Sequence, residues 1–179
     1  DYDLSADVLF CKVDKQVFGK DILIGGVYYP PENSPYFDRQ AFKNLENSVA
    51  FLEFDSICLM GDFNARTGVL SDVDLDESVC SGDEFWSTAG DFICMQPPER
   101  FSLDKSVNFM GLELLDFCKT MSCCIVNGRV GQPDNCKLFT CKDASVVDYV
   151  VVSLDLFRLV TDFKINEFCE LFSDVHCAV

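Results

Sequence analysis

The segment SICLMGDFN, residues 56–64, decides how this chain is expected to fold. Residues 56–60 form a continuous apolar run of strand length, which is typical of a buried strand, and the polar residues of GDFN follow at its carboxyl end. Side chains two apart on an extended chain point to the same side, so Asp62 and Asn64 are expected to project together while Phe63 turns to the core. The alternative is an ordinary Asp/Asn turn, in which both side chains only satisfy backbone groups.

The pattern outside this segment predicts further strands and two helices. Short segments rich in β-branched and aromatic residues predict strands at 7–13, 21–29, 123–127, 137–140, 146–152 and 159–168. Ser34 and Pro35 are expected to begin a helix over about 35–53. Asn108 is expected to cap a second helix, whose apolar face comprises Phe109, Leu112, Leu115 and Cys118. Strands and helices that first alternate, followed mainly by strands, predict an α/β (α+β) fold with helices packed outside a mixed sheet sandwich.

The composition fits one globular domain over residues 1–179. The chain has 179 residues, of which 49% are hydrophobic and 25% charged, and this is enough to build a core. It has no apolar run near the ~20 residues needed to cross a bilayer, and it does not start like a secretion signal, so it is expected to be soluble and intracellular with no membrane partner. Because the chain opens on Asp1 and stops at Val179 in an apolar stretch, the domain is expected to be partial, with both ends cut.

The cysteines are expected to be reduced. Their number, 11, is odd, several lie within apolar segments, and there is no CxxC pair. The single histidine of the chain also leaves no Cys/His zinc pattern to propose.

The net charge of −16 opposes simple nucleic-acid binding, since Lys and Arg supply most nonspecific affinity for phosphates. Much of the excess lies in residues 67–99, which include eight acidic residues and no basic one. This segment is expected to be an acidic surface loop, peripheral and poorly packed, because carboxylates without partners are costly to bury. A chain with weak intrinsic affinity can still receive a nucleic-acid partner through neighbouring domains of a larger polyprotein, which raise its effective concentration.

Two more polar features interrupt apolar segments late in the chain. Asp148 lies in SVVDY, residues 145–149, where a carboxylate needs a hydrogen-bonding or cationic partner unless the strand is an edge. His176, the only histidine, lies in SDVH at 173–176, two residues after Asp174. A lone histidine is most often a surface or satisfied core residue, but a nearby carboxylate is also how a catalytic imidazole is oriented.

The order of these motifs resembles a known superfamily. GVYYPPENSP (26–35), GDFNARTG (61–68), SVVDYVVVS (145–153) and SDVH (173–176) together resemble the motif series of the endonuclease/exonuclease/phosphatase superfamily, which includes DNase I, exonuclease III and the apurinic endonucleases. VNFMGLELLDFCKTMSCCIVNGRVG (107–131) and KLFTCKDASVVDYVVVS (137–153) are similar to the nuclease domain of non-LTR retrotransposons. The resemblance runs from Ile22 to Val179, and four motifs in register are far more specific than GDxN alone.

The resemblance implies a fold and an activity. The fold is a DNase I-like four-layer sandwich of two packed mixed β-sheets flanked by helices, here lacking its N-terminal strands. The activity is phosphodiester hydrolysis with Mg²⁺ or Mn²⁺, most specifically nicking of DNA by an endonuclease linked to a reverse transcriptase domain and acting in the nucleus. A non-catalytic degenerate remnant of such a domain, and a phosphatase of the same fold, are the alternatives.

The same resemblance assigns a role to each motif residue. Tyr28 would contact the phosphate, Asn64 would bind it, and Asp62 would handle the proton of the water or leaving group. Asp148 would orient His176, which would act beside the attacked phosphorus as a base or electrostatic partner.

Departures from the family pattern concern the metal site and the last motif. The N-terminal strands, with an asparagine and the metal-binding glutamate, have no counterpart, so the metal keeps only Asp174 of its usual ligands and the chain is expected to nick DNA feebly or not at all. The usual SDH is interrupted by Val175, which displaces either Asp174 or His176. Pro31 also replaces the family's asparagine after the proline.

Overall fold

The computed structural model describes residues 2–5, 7–74, 97–132, 138–141, 144–171, 173 and 175–179. The strands are β1 (Tyr2–Ser5), β2 (Val8–Val13), β3 (Ile22–Tyr28), β4 (Ser56–Asp62), β5 (Cys123–Ile125) and β6 (Asp148–Ser153). The helices are α1 (Lys15–Phe18), α2 (Ala41–Ala50), α3 (Phe109–Thr120) and α4 (Leu154–Phe157). The six strands form one mixed sheet in the order β1-β2-β3-β4-β6-β5, which confirms the predicted mixed α/β class. Among the described helices, none has the length and apolarity of a membrane span.

The centre of the sheet is the pair β3 and β4, which run parallel, with β6 antiparallel to β4 on its other side. Tyr28 is the register partner of Asp62, and Asp62 is the partner of Asp148. A one-residue shift in either pairing would turn each side chain to the opposite face of the sheet. The register therefore places Tyr28, Asp62 and Asp148 side by side at one end of the three central strands.

The first face of the sheet is covered by α2 and α3. Their buried residues pack with those of the central strands into the main core, in which Phe63, at 0% exposure, contacts the rings of Phe42, Tyr29 and Tyr149. The burial of Phe63 confirms that it turns to the core while its neighbours in GDFN do not.

The second face is covered only in part. Phe163 and Ile165 pack over Cys124, Val126 and Val152 at the β5 and β6 side. On β2 to β4 the same face stays open, with Leu9, Gly26 and Met60 exposed. A second sheet packed on this face is not formed within the part of the chain that the structure describes.

Two predicted strands are wrong in the described residues. Residues 159–168 form no strand, because Phe163 and Ile165 are buried individually against the sheet and the Phe163 amide donates to the side chain of Asp162 (2.9 Å). Residues 138–140 also form no strand, and position 137 lies outside the described residues. The apolar side chains of these two segments pack individually, and their backbones do not pair with a strand.

The predicted helices exist, with corrections. The first begins at Ala41 instead of 35 and ends at Ala50, because Ser34 forms a turn in which its hydroxyl and carbonyl accept from Tyr36 and Phe37. The second is capped by Asn108 as predicted, but Leu112 is 51% exposed and is not part of the apolar face. The short elements β1, α1 and α4 were not predicted from the sequence.

The acidic segment 67–99 is described only at its ends, since 75–96 lie outside the described residues. Part of its first stretch is buried, since Thr67 is 1% and Asp72 0% exposed, whereas Val69 is 58% and Leu70 44% exposed. Asp72 accepts two hydrogen bonds from the Arg129 guanidinium, at 2.6 and 2.8 Å, and one from the amide of Ile125 in β5 at 2.7 Å. The prediction that the carboxylates of this segment stay unburied is therefore wrong for Asp72, because a basic partner lies 57 residues further along the chain.

Replacing Asp72 by Asn is expected to lower the free energy of unfolding by about 3–5 kcal/mol at neutral pH, since Arg129 then stays buried without its counter-charge. The matched control is Asp74→Asn, whose carboxylate is 80% exposed. For the control we expect a change within about 0.5 kcal/mol. Urea unfolding followed by circular dichroism measures both, and equal effects of the two substitutions would contradict the assignment.

The contribution of this ion pair also has a defined pH dependence. Burial works to raise the pKa of Asp72, but the hydrogen bonds and charge of Arg129 outweigh burial and hold that pKa below its usual value. The pair therefore stabilises the fold above the pKa of an unfolded Asp, about 3.9, and this stabilisation is lost as the pH falls through the lower folded-state pKa. The stability difference between the parent and Asp72→Asn should shrink over that acidic range.

Candidate functional site

The candidate site lies where β3 and β4 end and β6 begins, and this end of the three central strands is called the edge below. The backbone there is hydrogen-bonded to both neighbouring strands. The Asp62 carbonyl accepts the amide of Tyr29 (2.9 Å), and the Phe63 amide donates to the carbonyl of Val147 (3.0 Å). At Gly61, φ is 139° and a Cβ atom would lie 2.0 Å from the Val27 carbonyl oxygen, so only glycine fits. The backbone that carries Asp62 is thereby fixed on both neighbouring strands.

His176 lies between two carboxylates at this edge. Its Nδ1 is 3.1 and 3.0 Å from the two carboxylate oxygens of Asp148, and its Nε2 is 3.7 Å from Oδ2 of Asp62. A carboxylate only accepts hydrogen bonds, so the contact with Asp148 requires the proton on Nδ1 and directs Nε2 towards Asp62. The imidazole is 31% exposed, whereas the side chains of Asp62 and Asp148 are 13% and 10% exposed.

The segment that carries His176 is attached to the strand that carries Asp148 through Thr140. The hydroxyl of this fully buried residue accepts the amides of Val147 (3.0 Å) and Asp148 (3.1 Å), and its carbonyl accepts the amide of Cys177 (2.8 Å). The His176 amide donates to the hydroxyl of Ser173 (2.9 Å). The extra Val175 therefore leaves His176 in contact with Asp148.

Asn64 contacts Asp62 through its backbone and its side chain. Its amide donates to Oδ1 of Asp62 (2.8 Å), and its Nδ2 donates to Oδ2 of Asp62 (3.0 Å) and to the carbonyl of Tyr29 (2.8 Å). Asp62 and Asn64 therefore do project together, as expected, and they bond to each other.

The surroundings of Asp62 hold the pKa of its carboxyl above the usual value of an aspartate. Burial is the main cause that raises the pKa of Asp62, and the negative charge of Asp148 adds to it. The hydrogen bonds of Asn64 and the charge of His176 act in the opposite direction without cancelling these effects. A carboxylate perturbed by burial and by a like charge in a partly open site is typical of functional positions.

Asp62, Asp148 and His176 are also the described residues that best fit a metal ion. Each offers one ligand atom, and these atoms all lie within 4.8 Å of one another. Carboxylate oxygens suit Mg²⁺ and Mn²⁺, and an imidazole nitrogen is tolerated better by Mn²⁺ than by Mg²⁺. The donor set thus fits a hard divalent cation without selecting Mg²⁺.

The structure brings together residues from nearly the whole chain. Four of the predicted site residues, Asp62, Asn64, Asp148 and His176, are connected by the contacts above. Tyr28 lies beside Asp62 in the register, with 58% of its surface exposed. Asp174, the predicted metal ligand, lies outside the described residues.

Sequence reasoning missed two residues that build the site. Thr140 lay in a predicted strand, and Asn108 was recognised only as a helix cap. In both cases the sequence shows only a polar residue next to an apolar run. Such a residue can be assigned to the site only when the distant residues that it contacts are known.

The chain was compared with models of protein families and with curated proteins, and neither comparison found a match. The resemblance to the superfamily consequently rests on the sequence motifs.

Titration of the carboxyl carbons by NMR tests the charge balance. Asp62 should titrate above the value of about 3.9 for a free Asp. Asp155 is an internal contrast: burial works to raise its pKa, but hydrogen bonds from Lys20, Ser56 and Ser153 outweigh burial and bring that pKa to about 2. Asp148→Asn removes the neighbouring negative charge and should lower the pKa of Asp62; an unchanged or higher value would contradict this description.

Proposed function

We propose that the chain is a metal-dependent phosphodiesterase domain of the endonuclease/exonuclease/phosphatase superfamily, and that its substrate is DNA, which it nicks. The observation that carries the proposal is the imidazole of His176, held by Asp148 with Nε2 directed at Asp62. These residues come from three separate motifs whose order is that of the superfamily. Their convergence at one edge is what a shared catalytic site requires, and no single motif implies it.

In this proposal Asp148 keeps the proton of His176 on Nδ1, so that Nε2 is available at the reacting phosphate. His176 then takes or gives a proton there, or stabilises the developing charge, which are the ordinary roles of a positioned imidazole. Asp62 accepts a proton from the attacking water or holds that water, and its raised pKa makes it a stronger base than a free Asp. Tyr28, exposed beside Asp62, is placed to contact the phosphate.

When bound, a divalent ion such as Mg²⁺ or Mn²⁺ would neutralise negative charge on the phosphate. Among the described residues Asp62 and Asp148 would hold it, and the resemblance adds Asp174. Few oxygen ligands imply weak binding, since Mg²⁺ prefers near-octahedral oxygen coordination.

The finer fold, a DNase I-like sandwich of two sheets, is part of the same proposal. It is supported by the open face of the sheet, where Leu9 is 65% and Met60 41% exposed. Apolar residues in a row across neighbouring strands are what a second sheet covers in a sandwich. The proposal also includes a linked reverse transcriptase, with which the nuclease would act on DNA in the nucleus; this rests on the motifs at 107–131 and 137–153.

The proposed activity is tested by nicking of supercoiled plasmid with Mg²⁺ or Mn²⁺. The 179-residue chain should nick feebly or not at all, and a longer protein that includes the sequence encoded upstream should nick in a Mg²⁺-dependent manner. In that longer protein, His176→Ala and Asp148→Asn should lower the rate by about 10²–10⁴-fold. Asp116→Asn, the same change at an exposed site on α3, serves as the control and should nick normally.

The outcomes separate the alternatives. A longer protein that is folded but inert with both ions, or a His176→Ala variant that nicks like its parent, would establish the degenerate remnant instead. Release of phosphate from a small phosphomonoester without nicking of DNA would favour the phosphatase.

Metal binding has a test that does not depend on activity, because the chain contains one histidine and hence one imidazole Cε1–H resonance. Paramagnetic Mn²⁺ should broaden this resonance selectively, and an excess of Mg²⁺ should reverse the broadening by competition. Asp62→Asn should weaken the effect. An imidazole resonance that stays sharp when Mn²⁺ broadens other signals would rule out the site at Asp62, Asp148 and His176.

A further inference from the structure

Asn64 has a backbone conformation that most residues avoid. Its φ is 46°, in the left-handed region, where asparagine is tolerated better than other residues with a side chain. In this conformation both hydrogens of its side-chain amide are used, one on the Tyr29 carbonyl and one on Oδ2 of Asp62. The amide is thus occupied within the protein, and it cannot donate to a phosphate without giving up one of these bonds.

The carbonyl of Asn64 is held by Asn108, at the start of α3. Nδ2 of Asn108 donates to this carbonyl (2.9 Å), while Oδ1 of Asn108 accepts the amides of Arg66 (2.7 Å) and of Gly111 (2.8 Å). The backbone of Asn108 also donates to the Arg66 carbonyl (3.0 Å). One side chain therefore ties the helix to two positions of the segment that follows β4.

The contact between the helix and this segment is close. A Cβ atom on Gly111 would lie 1.9 Å from the Arg66 carbonyl oxygen, so the first turn of α3 rests directly on the backbone at Arg66. Arg66 in turn makes a two-fold ion pair with the buried Asp104, at 2.8 and 2.7 Å. The helix start is a rigid support for the residues after Asp62.

We propose that Asn108 is a positioning residue of the site: by holding the Asn64 carbonyl, it keeps Asn64 in the conformation that orients the Asp62 carboxylate towards Nε2 of His176. Asn64 accordingly acts on Asp62 and not on the phosphate, which departs from the role that the family resemblance assigns to it. The effect of Asn108 on turnover rests on the proposed function, whereas its effect on the geometry of Asn64 does not.

The chemistry of the side chain separates this role from that of a helix cap. Asp and Ser cap helices about as well as Asn, because a cap needs only an acceptor oxygen. Of these three residues, only asparagine carries its acceptor and its donor on two separate atoms: a carboxylate has no hydrogen to donate, and serine has a single hydroxyl oxygen for both roles. Asn108→Asp therefore retains an acceptor for the amides of Gly111 and Arg66 and replaces the donor to the Asn64 carbonyl by an oxygen that cannot bond to it.

The first test is steady-state nicking by Asn108→Asp and Asn108→Ser in the longer protein. We expect both variants to unfold thermally close to the parent, with kcat lowered by about 10- to 100-fold through misplacement of Asp62 and little change in KM. Ser106→Asp, an exposed residue two positions away, adds the same charge as Asn108→Asp and should leave kcat unchanged. A purely structural cap would lower stability in proportion and leave kcat of the folded fraction at the parent value.

The second test needs no activity. The two Nδ2 hydrogens of Asn64 should exchange slowly with water in the parent and rapidly in Asn108→Asp, and the His176 imidazole resonance should shift as Asp62 is released. If the longer parent protein does not nick DNA but these signals change on Asn108→Asp, the proposed function fails and the positioning role stands. If the parent nicks and Asn108→Asp matches it in kcat with an unchanged Asn64 amide, the positioning role is overturned and the proposed function stands.

Discussion

The structure depends on the register of three strands, β3, β4 and β6, because this pairing alone sets Tyr28, Asp62 and Asp148 at one edge. Side chains alternate along a strand, so the core residues Leu59 and Val151 and the polar edge residues are specified by the same register. A slip that moved the carboxylates would also expose the core. The site is thus stabilised by apolar burial some distance from it, and this makes its carboxylates tolerable.

Among the described residues, the ion pairs that involve a buried carboxylate are of two kinds, and the difference distinguishes the site from the scaffold. Asp72 with Arg129, and Asp104 with Arg66, are one-to-one pairs with two-fold hydrogen bonds, and each ties a loop to the sheet or helix layer. At the edge of the sheet two carboxylates share one imidazole. That surplus of negative charge does not serve stability, since an unpaired carboxylate is costly where water is limited. The surplus of negative charge would be offset if a cation or a proton were bound at this edge, as the proposed function requires.

The sequence predicted most of the sheet, because the strands that form it are apolar runs bounded by turns, as at 56–62 and 22–28. It failed at 159–168, where apolar side chains are buried singly, and at the start of the first helix, where Ser34 prefers a turn. The convergence of Asp62, Asp148 and His176 was expected from the resemblance of the motif series to a known superfamily. The sequence did not predict the roles of Thr140 and Asn108 or the ion-pair partner of Asp72. Each of these depends on contacts between segments that are far apart in the chain, and a local sequence pattern does not show such contacts.

The charge of the site also bears on how a chain with a net charge of −16 can act on a phosphodiester. With His176 neutral and both carboxylates ionised, the edge carries two negative charges and repels a phosphate. Protonation of His176 removes one of them, and a divalent cation held by Asp62 and Asp148 would offset both, so that the phosphate would meet a neutral site. A cation shared with the phosphate would also lower the pKa of Asp62, since it favours the ionised carboxylate. In the proposed function, a divalent ion therefore fits the two carboxylates better than a proton alone does.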